Sequence, residues 1–188
     1  MKKLLLLSGL ALLIAFPGCR NSQPATEVPA QQAEAEPVDI PDPELVKQTR
    51  PVRLYFADPD RYGLSVETRK VFELPDQTAM LKQVLSTLER GPLGNLKPTF
   101  PACLTVSNVF TVEDTIFVDL RKEPDSAQIG GVEGEALFIH SVANTALAVY
   151  PKQFYRLRFL VNGVEADTLL GHFDGRRTYT YNRSIILR

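Results

Sequence analysis

One of the two histidines in the chain stands directly before a serine, in the stretch ALFIHSVANTALAVYP that covers residues 136–151. A histidine that removes the proton of a serine hydroxyl is the basis of catalysis in many hydrolases. On a helix, His140 and Ser141 point about 100° apart, so the imidazole cannot take the proton from its neighbour. The second histidine, His172, could reach Ser141 across space, with Asp174 orienting its ring. The tight G-x-S-x-G turn typical of such a serine is missing, which favours a non-catalytic role.

Two groups of acidic residues deserve the same test. A glycosidase needs two carboxyl groups facing each other across a sugar, roughly 5 to 10 Å apart. Glu113-Asp114 fall in a predicted hairpin turn near Asp119, and Glu133 and Glu135 fall near a predicted helix N-terminus, where the helix dipole favours acids. Turn and helix-end chemistry explain both groups, so the sequence predicts no catalytic residue.

Metal and cofactor sites are not predicted either. A zinc site needs three or four ligands at close spacing, and two scattered histidines with Cys103 do not supply them. The pair Gly130-Gly131 lacks the strand and helix that a phosphate-binding loop requires. Cys103 itself is interpreted as a small apolar residue at the start of a strand, with a reactive thiol as the alternative.

Size and charge limit the possible functions further. The chain has 188 residues, of which 44% are hydrophobic and 23% charged, and its formal net charge is −1. These values are typical of one globular domain. From Pro51 onward, 16 Lys and Arg balance 16 Asp and Glu, so no basic field favours nucleic acid.

The stretch that carries His140 and Ser141 has the spacing of a packed helix. Its apolar residues recur at helical intervals and form one stripe, widened by two leucines: Ile139, Val142, Ala143, Ala146, Val149 and Tyr150, with Leu137 and Leu147. Ser141 and Thr145 stack on one side, as do His140 and Asn144. We therefore expect a polar flank with a structural or surface role, and contact with a partner as the alternative.

The elements before this helix follow from alternation, turn residues and helical spacing. Residues 52–56 and 66–72 have strand patterns. Asp76 can cap a helix whose apolar positions recur at three and four residues and which ends at Gly91-Pro92. Residues 104–112 and 115–120 read as two strands of an antiparallel hairpin.

After Pro151, the pattern predicts one more hairpin. Tyr155, Leu157, Phe159 and Val161 share one face of a strand, Asn162-Gly163 is a strong hairpin turn, and residues 164–170 would return. The predicted fold is a single small α+β domain with an antiparallel or mixed sheet and two packed helices. Its predicted order is β-β-α-β-β-α-β-β.

The N-terminus has the pattern of an export signal. Lys2 and Lys3 precede an apolar stretch of 13 residues, 4–16, which is short for a membrane span. Residues 1–18 are therefore predicted to be a signal peptide of the lipoprotein type. Residues 19–50 are polar and rich in Pro, Ala and Glu, which predicts a disordered tether before a domain at 51–188.

Cys19 is the predicted lipidation site. A small residue, Gly18, precedes it, as in a bacterial lipoprotein signal, whereas Phe16 and Pro17 depart from the usual pattern. Acylation of Cys19 would anchor the chain to a membrane. Ordinary cleavage with an unmodified Cys19, or an uncleaved anchor, stay open as alternatives.

The order of several motifs resembles the GerMN domain of sporulation and spore germination proteins. The matching segments are VRLYFADPD, a helix ending LERGP, TIFVDL, SVANTALAVYP, YRLRFLVNG and LLGHFD. The resemblance as a whole covers roughly residues 53–183. The more specific family positions are Ser141, Asn144 and Thr145 on the helix, Asn162 and Gly163 in the turn, and Gly171 and His172 after it.

The resemblance implies a non-catalytic module of the cell envelope, similar to domains found on exported lipoproteins. It implies a protein-interaction or scaffold role in envelope assembly or in processes of the sporulation and germination type. We expect lipid anchoring on the outer side of the cytoplasmic membrane, or in the periplasm or outer membrane. The expected partner is another envelope protein or the cell wall. Two alternatives stay open, a small hydrolase acting on peptidoglycan through Ser141 or His172, and a small-ligand-binding module.

Overall fold

A computed structural model of the chain describes residues 48–123 and 131–188, which all belong to one compact unit, Ile40–Arg188. The predicted signal peptide, Cys19 and the tether up to residue 47 lie outside the described residues. Within these two ranges, seven elements follow one another: β1 (Thr49–Ala57), β2 (Leu64–Phe72), α1 (Gln77–Glu89), β3 (Leu104–Val112), β4 (Thr115–Lys122), α2 (Gly131–Leu147) and β5 (Arg156–Val161).

Strands β1 and β2 form a two-stranded antiparallel sheet. β1 starts at Thr49, so Thr49 and Arg50, which the sequence assigned to the tether, belong to the sheet. The outer edge of β2 is occupied at Leu64, whose N–H donates to the carbonyl of Ile185 at 2.8 Å and whose carbonyl accepts from the N–H of Leu187 at 2.8 Å.

The second sheet has the order β3-β4-β5. The predicted hairpin of β3 and β4 is confirmed, with Val112 opposite Thr115 across the Glu113-Asp114 turn. β5 joins the other edge of β4 in parallel. The sheet is therefore mixed, and the predicted α+β class with two helices is confirmed.

The predicted return strand at 164–170 is wrong. The Asn162-Gly163 turn forms, with positive φ angles of 52° and 81°, but pairing stops at the bridge between Val161 and Val164. The outer edge of β5 is already taken at Leu157, which exchanges two backbone hydrogen bonds of 2.8 Å with Tyr179. A turn signal specifies the local bend, whereas the occupant of the sheet edge depends on distant residues.

Helix α1 has the predicted start. The carboxylate of Asp76 accepts a hydrogen bond of 2.6 Å from the N–H of Ala79, which satisfies one of the free donors at the helix N-terminus. Its five predicted apolar residues are all buried: Met80, Leu81, Val84, Leu85 and Leu88. Gly91 then takes a positive φ of 84°, which suits a residue without a side chain.

Helix α2 is shifted toward the N-terminus relative to the sequence prediction. It begins at Gly131, five residues before the predicted helical stretch of residues 136–151, and ends at Leu147, four residues before the end of that stretch. At its end the N–H of Val149 bonds to Ala146, three residues back, which tightens the last turn. A further turn at Tyr150 then leads into β5.

All seven elements contribute side chains to one hydrophobic core. α2 packs against β1 and α1, and α1 packs against β3. Tyr155, predicted to share the buried face of β5, precedes that strand and is exposed. Across the described ranges, no helix is both long and apolar enough to cross a membrane.

Candidate functional site

Two hydroxyl groups of α2 complete the outer edge of β1. The N–H of Tyr55 donates to Oγ1 of Thr145 at 3.2 Å, and Oγ of Ser141 donates to the carbonyl of Tyr55 at 2.5 Å. Because Ser141 has given its only proton to that carbonyl, the 2.7 Å contact with Thr99 makes Thr99 the donor. The two side chains thus occupy the place that a neighbouring strand would take.

Asn144 serves a second backbone segment in the same way. Its Nδ2 donates to the carbonyl of Asn182 at 2.9 Å, and its Oδ1 accepts from the N–H of Asn182 at 2.7 Å. We call residues 179–188 the C-terminal segment. The side-chain amide of Asn144 therefore satisfies both backbone hydrogen-bonding groups of one residue in this segment. Asn182 in turn holds Ser184 through its own side chain.

These contacts correct the predicted polar flank. Ser141, Asn144 and Thr145 are fully buried, because they face backbone atoms of β1 and the C-terminal segment instead of water. The spacing of three and four residues located them on neighbouring faces of the helix, but it carried no information on what those faces cover.

Glu135 is the most enclosed ionisable side chain of the helix. Its carboxylate is fully buried and accepts from three backbone N–H groups, those of Leu170 at 3.0 Å, His172 at 2.9 Å and Phe173 at 3.3 Å. Nδ1 of His172 lies 2.9 Å from the same carboxylate. We define Glu135 and residues 170–173 as the carboxylate loop. Glu135 was predicted to serve the helix dipole, and the loop contacts were missed.

The carboxylate loop does not bring together the residues of the alternative hydrolase, Ser141, His172 and Asp174. His172 is oriented by Glu135, whereas Oδ1 of Asp174 accepts from the N–H of Arg176. In residues 48–123 and 131–188, no hydrogen bond joins Nε2 of His172 to a hydroxyl or a thiol. His172 and Glu135 therefore resemble a base and its orienting acid, but the hydroxyl of Ser141 donates to the carbonyl of Tyr55.

The remaining family positions lie at bends of the backbone. Oδ1 of Asn162 accepts from the N–H of Lys122, and the N–H of Gly163 donates to Asp119, so this turn ties β5 to the end of β4. Gly171 has a positive φ of 108°, which allows the carboxylate loop to direct its N–H groups inward.

A cavity of about 730 Å³ lies between β1, the end of α2 and the C-terminal segment. Three arginines line it, Arg53, Arg183 and Arg188. One wall contains Tyr181, whose hydroxyl is 2.5 Å from that of Tyr55. Burial, and then the contact with Tyr181, raise the pKa of Tyr55.

A second cavity of about 540 Å³ lies on the other side of residues 180–183. His140 lines it, and its Nδ1 is buried with no hydrogen-bond partner in the described parts of the chain. Burial, and next the charge of Arg177, lower the pKa of His140. The imidazole of His140 is therefore neutral near pH 7.

The other candidates have structural positions. Cys103 is buried and unpaired next to β3, as the apolar interpretation predicted. Asp114 accepts from Thr115 and pairs with Arg156 at the hairpin turn. Among the residues that the structure describes, no group of three or more His, Cys, Asp or Glu could hold a metal ion.

The comparisons with known proteins agree with this fold. A family model described as "Germane: Sporulation and spore germination" matches residues 53–167. The first GerMN domain of the sporulation protein GerM from Bacillus subtilis is 23% identical, with a TM-score of 0.51, covering 72% of this chain and 99% of that one. The tandem GerMN domains of the same protein give 23% identity and a TM-score of 0.52, covering 69% of this chain and 46% of theirs. No curated protein matches the chain.

Proposed function

The chain belongs to the Germane family, described as sporulation and spore germination, and from this membership we propose that it is a non-catalytic, lipid-anchored protein of the cell envelope. The resemblance to the GerMN domain is confirmed by the family match and by the two GerM structures. In this proposal the folded domain is a protein-interaction or scaffold module, and Cys19 joins it to a membrane.

The proposed interaction role rests mainly on the outer edge of β2. Beyond Leu64, no strand among the described residues pairs with this edge. Val66 and Phe72 on the same strand are 42% and 53% exposed. An open strand edge with apolar side chains is a surface on which another extended segment can pair.

The burial of the family positions on α2 supports a role without catalysis. Ser141, Asn144 and Thr145 have no surface exposed to a substrate, and their polar atoms bond to the protein's own backbone. The Glu135 and His172 pair remains as a base with its orienting acid. A hydrolase acting on peptidoglycan would therefore need its nucleophile from water or from outside the described residues.

Site-specific photocrosslinking in cells tests the interaction role. We expect a crosslinker at position 66 to yield one recurring adduct with an envelope protein or wall fragment. A crosslinker at Val112, which is 53% exposed at the β3-β4 turn, is the matched control. Identical adduct patterns from both positions would argue that the edge of β2 has no specific partner.

Palmitate labelling tests the anchor separately. The wild-type chain should incorporate label, and the Cys19→Ala variant should not. Equal labelling of both would overturn lipidation at Cys19 while leaving the interaction role open to the crosslinking result. Incubation with labelled peptidoglycan tests the hydrolase, because turnover abolished by His172→Ala would replace the proposal with an enzyme.

A further inference from the structure

Three arginine side chains and no acidic side chain line the larger cavity. Arg53, Arg183 and Arg188 all line the cavity of about 730 Å³, and none of its lining residues is acidic. The chain as a whole carries a formal net charge of −1. The positive charge is therefore a property of this site and not of the whole surface.

Arginines elsewhere in the domain are mostly neutralised. Seven form ion pairs with Asp or Glu: Arg50, Arg61, Arg69, Arg121, Arg156, Arg158 and Arg176. Among residues 48–123 and 131–188, none of the ion pairs includes Arg53, Arg183 or Arg188. Like charges brought together around a cleft repel one another and concentrate the field there, which favours a bound anion.

The cavity walls are held in place before any ligand arrives. The rings of Tyr55 and Tyr181 pack edge to face at 6.0 Å in addition to their hydroxyl contact. Asn144 fixes both backbone groups of Asn182, the residue directly before Arg183. A preformed wall lowers the entropy that a ligand loses on binding.

We propose that this cavity binds a small organic oxyanion, a carboxylate or phosphate ester that carries an apolar group. The planar guanidinium group of arginine matches both kinds of oxyanion with paired hydrogen bonds. Leu147, Phe154 and Ile186 line the same cavity and offer contacts to the apolar group. The volume lies in the range of small-molecule sites. The proposal rests neither on the lipid anchor nor on the unpaired part of the β2 edge.

Fluorine NMR of the full chain in a non-ionic detergent tests the site with defined probes. 4-Fluorophenyl phosphate and 4-fluorobenzoate represent the two oxyanions, and 4-fluorobenzyl alcohol is the neutral control. We expect saturable binding of at least one anion and none of the alcohol. Arg53→Gln and Arg183→Gln should each weaken binding about tenfold, the effect of one charge-assisted contact.

Arg121→Gln removes the same charge from the end of β4, outside the cavity, and should leave the affinity within about twofold. Because the side chains of Arg53 and Arg183 make no ion pair among the described residues, we expect both variants to keep the fold. Circular dichroism of each variant checks this. Equal weakening by Arg121→Gln, or no saturable binding of either anion, would overturn the proposal. Binding to phosphatidylglycerol vesicles without binding of either small anion would also overturn it, because the ligand would then be a membrane surface.

Discussion

Helix α2 satisfies backbone groups at two places by opposite means. Near its N-terminus, Glu135 uses one buried carboxylate to collect N–H groups from the carboxylate loop. Farther along, Ser141, Asn144 and Thr145 use neutral groups on Tyr55 and Asn182. A carboxylate only accepts hydrogen bonds, whereas hydroxyl and amide groups both donate and accept.

The difference follows from what each backbone segment presents. The carboxylate loop bends at Gly171 and directs several N–H groups to one point, so a pure acceptor suits it. Tyr55 and Asn182 each present an N–H and a carbonyl side by side, so they need a donor and an acceptor together. The chemical type of these four α2 side chains thus matches the backbone groups opposite them. Exchanging a charged for a neutral group, or the reverse, should therefore lower the free energy of unfolding.

Neutralising the carboxylate should have the largest effect. Glu135→Gln keeps the shape but replaces one acceptor oxygen by an amide donor that faces N–H groups. We expect the free energy of unfolding in urea to fall by about 3 kcal/mol at pH 7. Glu133→Gln, at an exposed position two residues away, should change it by less than about 0.5 kcal/mol. Similar losses for both variants would show that the enclosed carboxylate has no special role.

Introducing a charge into the neutral region is the reverse exchange. Asn144→Asp still accepts from the N–H of Asn182, but it cannot donate to the carbonyl and places a buried carboxylate beside it. We expect a loss of about 2 kcal/mol at pH 7 in the same urea titration. Asn95→Asp, at an exposed loop position after α1, is the control. If aspartate at 144 is tolerated as well as at 95, the region does not require a neutral group.

Removing one hydroxyl should cost less than either exchange. Ser141→Ala leaves the carbonyl of Tyr55 without this donor and Thr99 without this acceptor. The expected loss is about 1–2 kcal/mol, the value for buried groups left unsatisfied. Ser107→Ala on the exposed side of β3 should be nearly neutral. A neutral result at 141 would indicate that the buried carbonyl finds another donor.

Local patterns predicted the elements that depend on neighbouring residues. The Asp76 cap, the apolar spacing of α1 and the Glu113-Asp114 turn all act within a few positions, and each formed as predicted. The return strand failed because Tyr179, distant in sequence, occupies the edge of β5 at Leu157. Edge occupancy is a property of the assembled sheet and leaves no trace in the alternation of residues 164–170.

For the candidate sites too, sequence patterns predicted the local placement of residues but not their contacts with residues distant in sequence. Helical spacing placed Ser141, Asn144 and Thr145 on one segment, but their burial depends on β1 and the C-terminal segment. The partner of Glu135 lies 37 residues away at His172, and Arg53 meets Arg183 in the larger cavity only after folding. An acid in the hydrophobic part of an amphipathic helix was the one signal that could have singled out Glu135.

The two histidines extend the comparison to pH. His172 lies against the acid Glu135. His140 is half-buried near Arg177, Asn182 and the ring of Tyr179, with Arg183 in the same cavity. Burial and Arg177 lower the pKa of His140 in the folded protein, so the unfolded chain takes up this proton first as the pH falls. Stability contributed by the neutral ring is therefore present above the ordinary histidine pKa of about 6.5 and is lost as the pH drops below it.

His140→Gln cannot titrate, so its stability should fall less steeply than that of the wild type between about pH 7.5 and 5. This is the smallest of the expected effects, because only one partly buried group contributes. Urea titrations at each pH give the difference in the free energy of unfolding between the two proteins. The contributions of the other ionisable groups, which both proteins share, largely cancel in this difference. Parallel pH profiles would mean that the folded protein stabilises the protonated and the neutral ring of His140 equally.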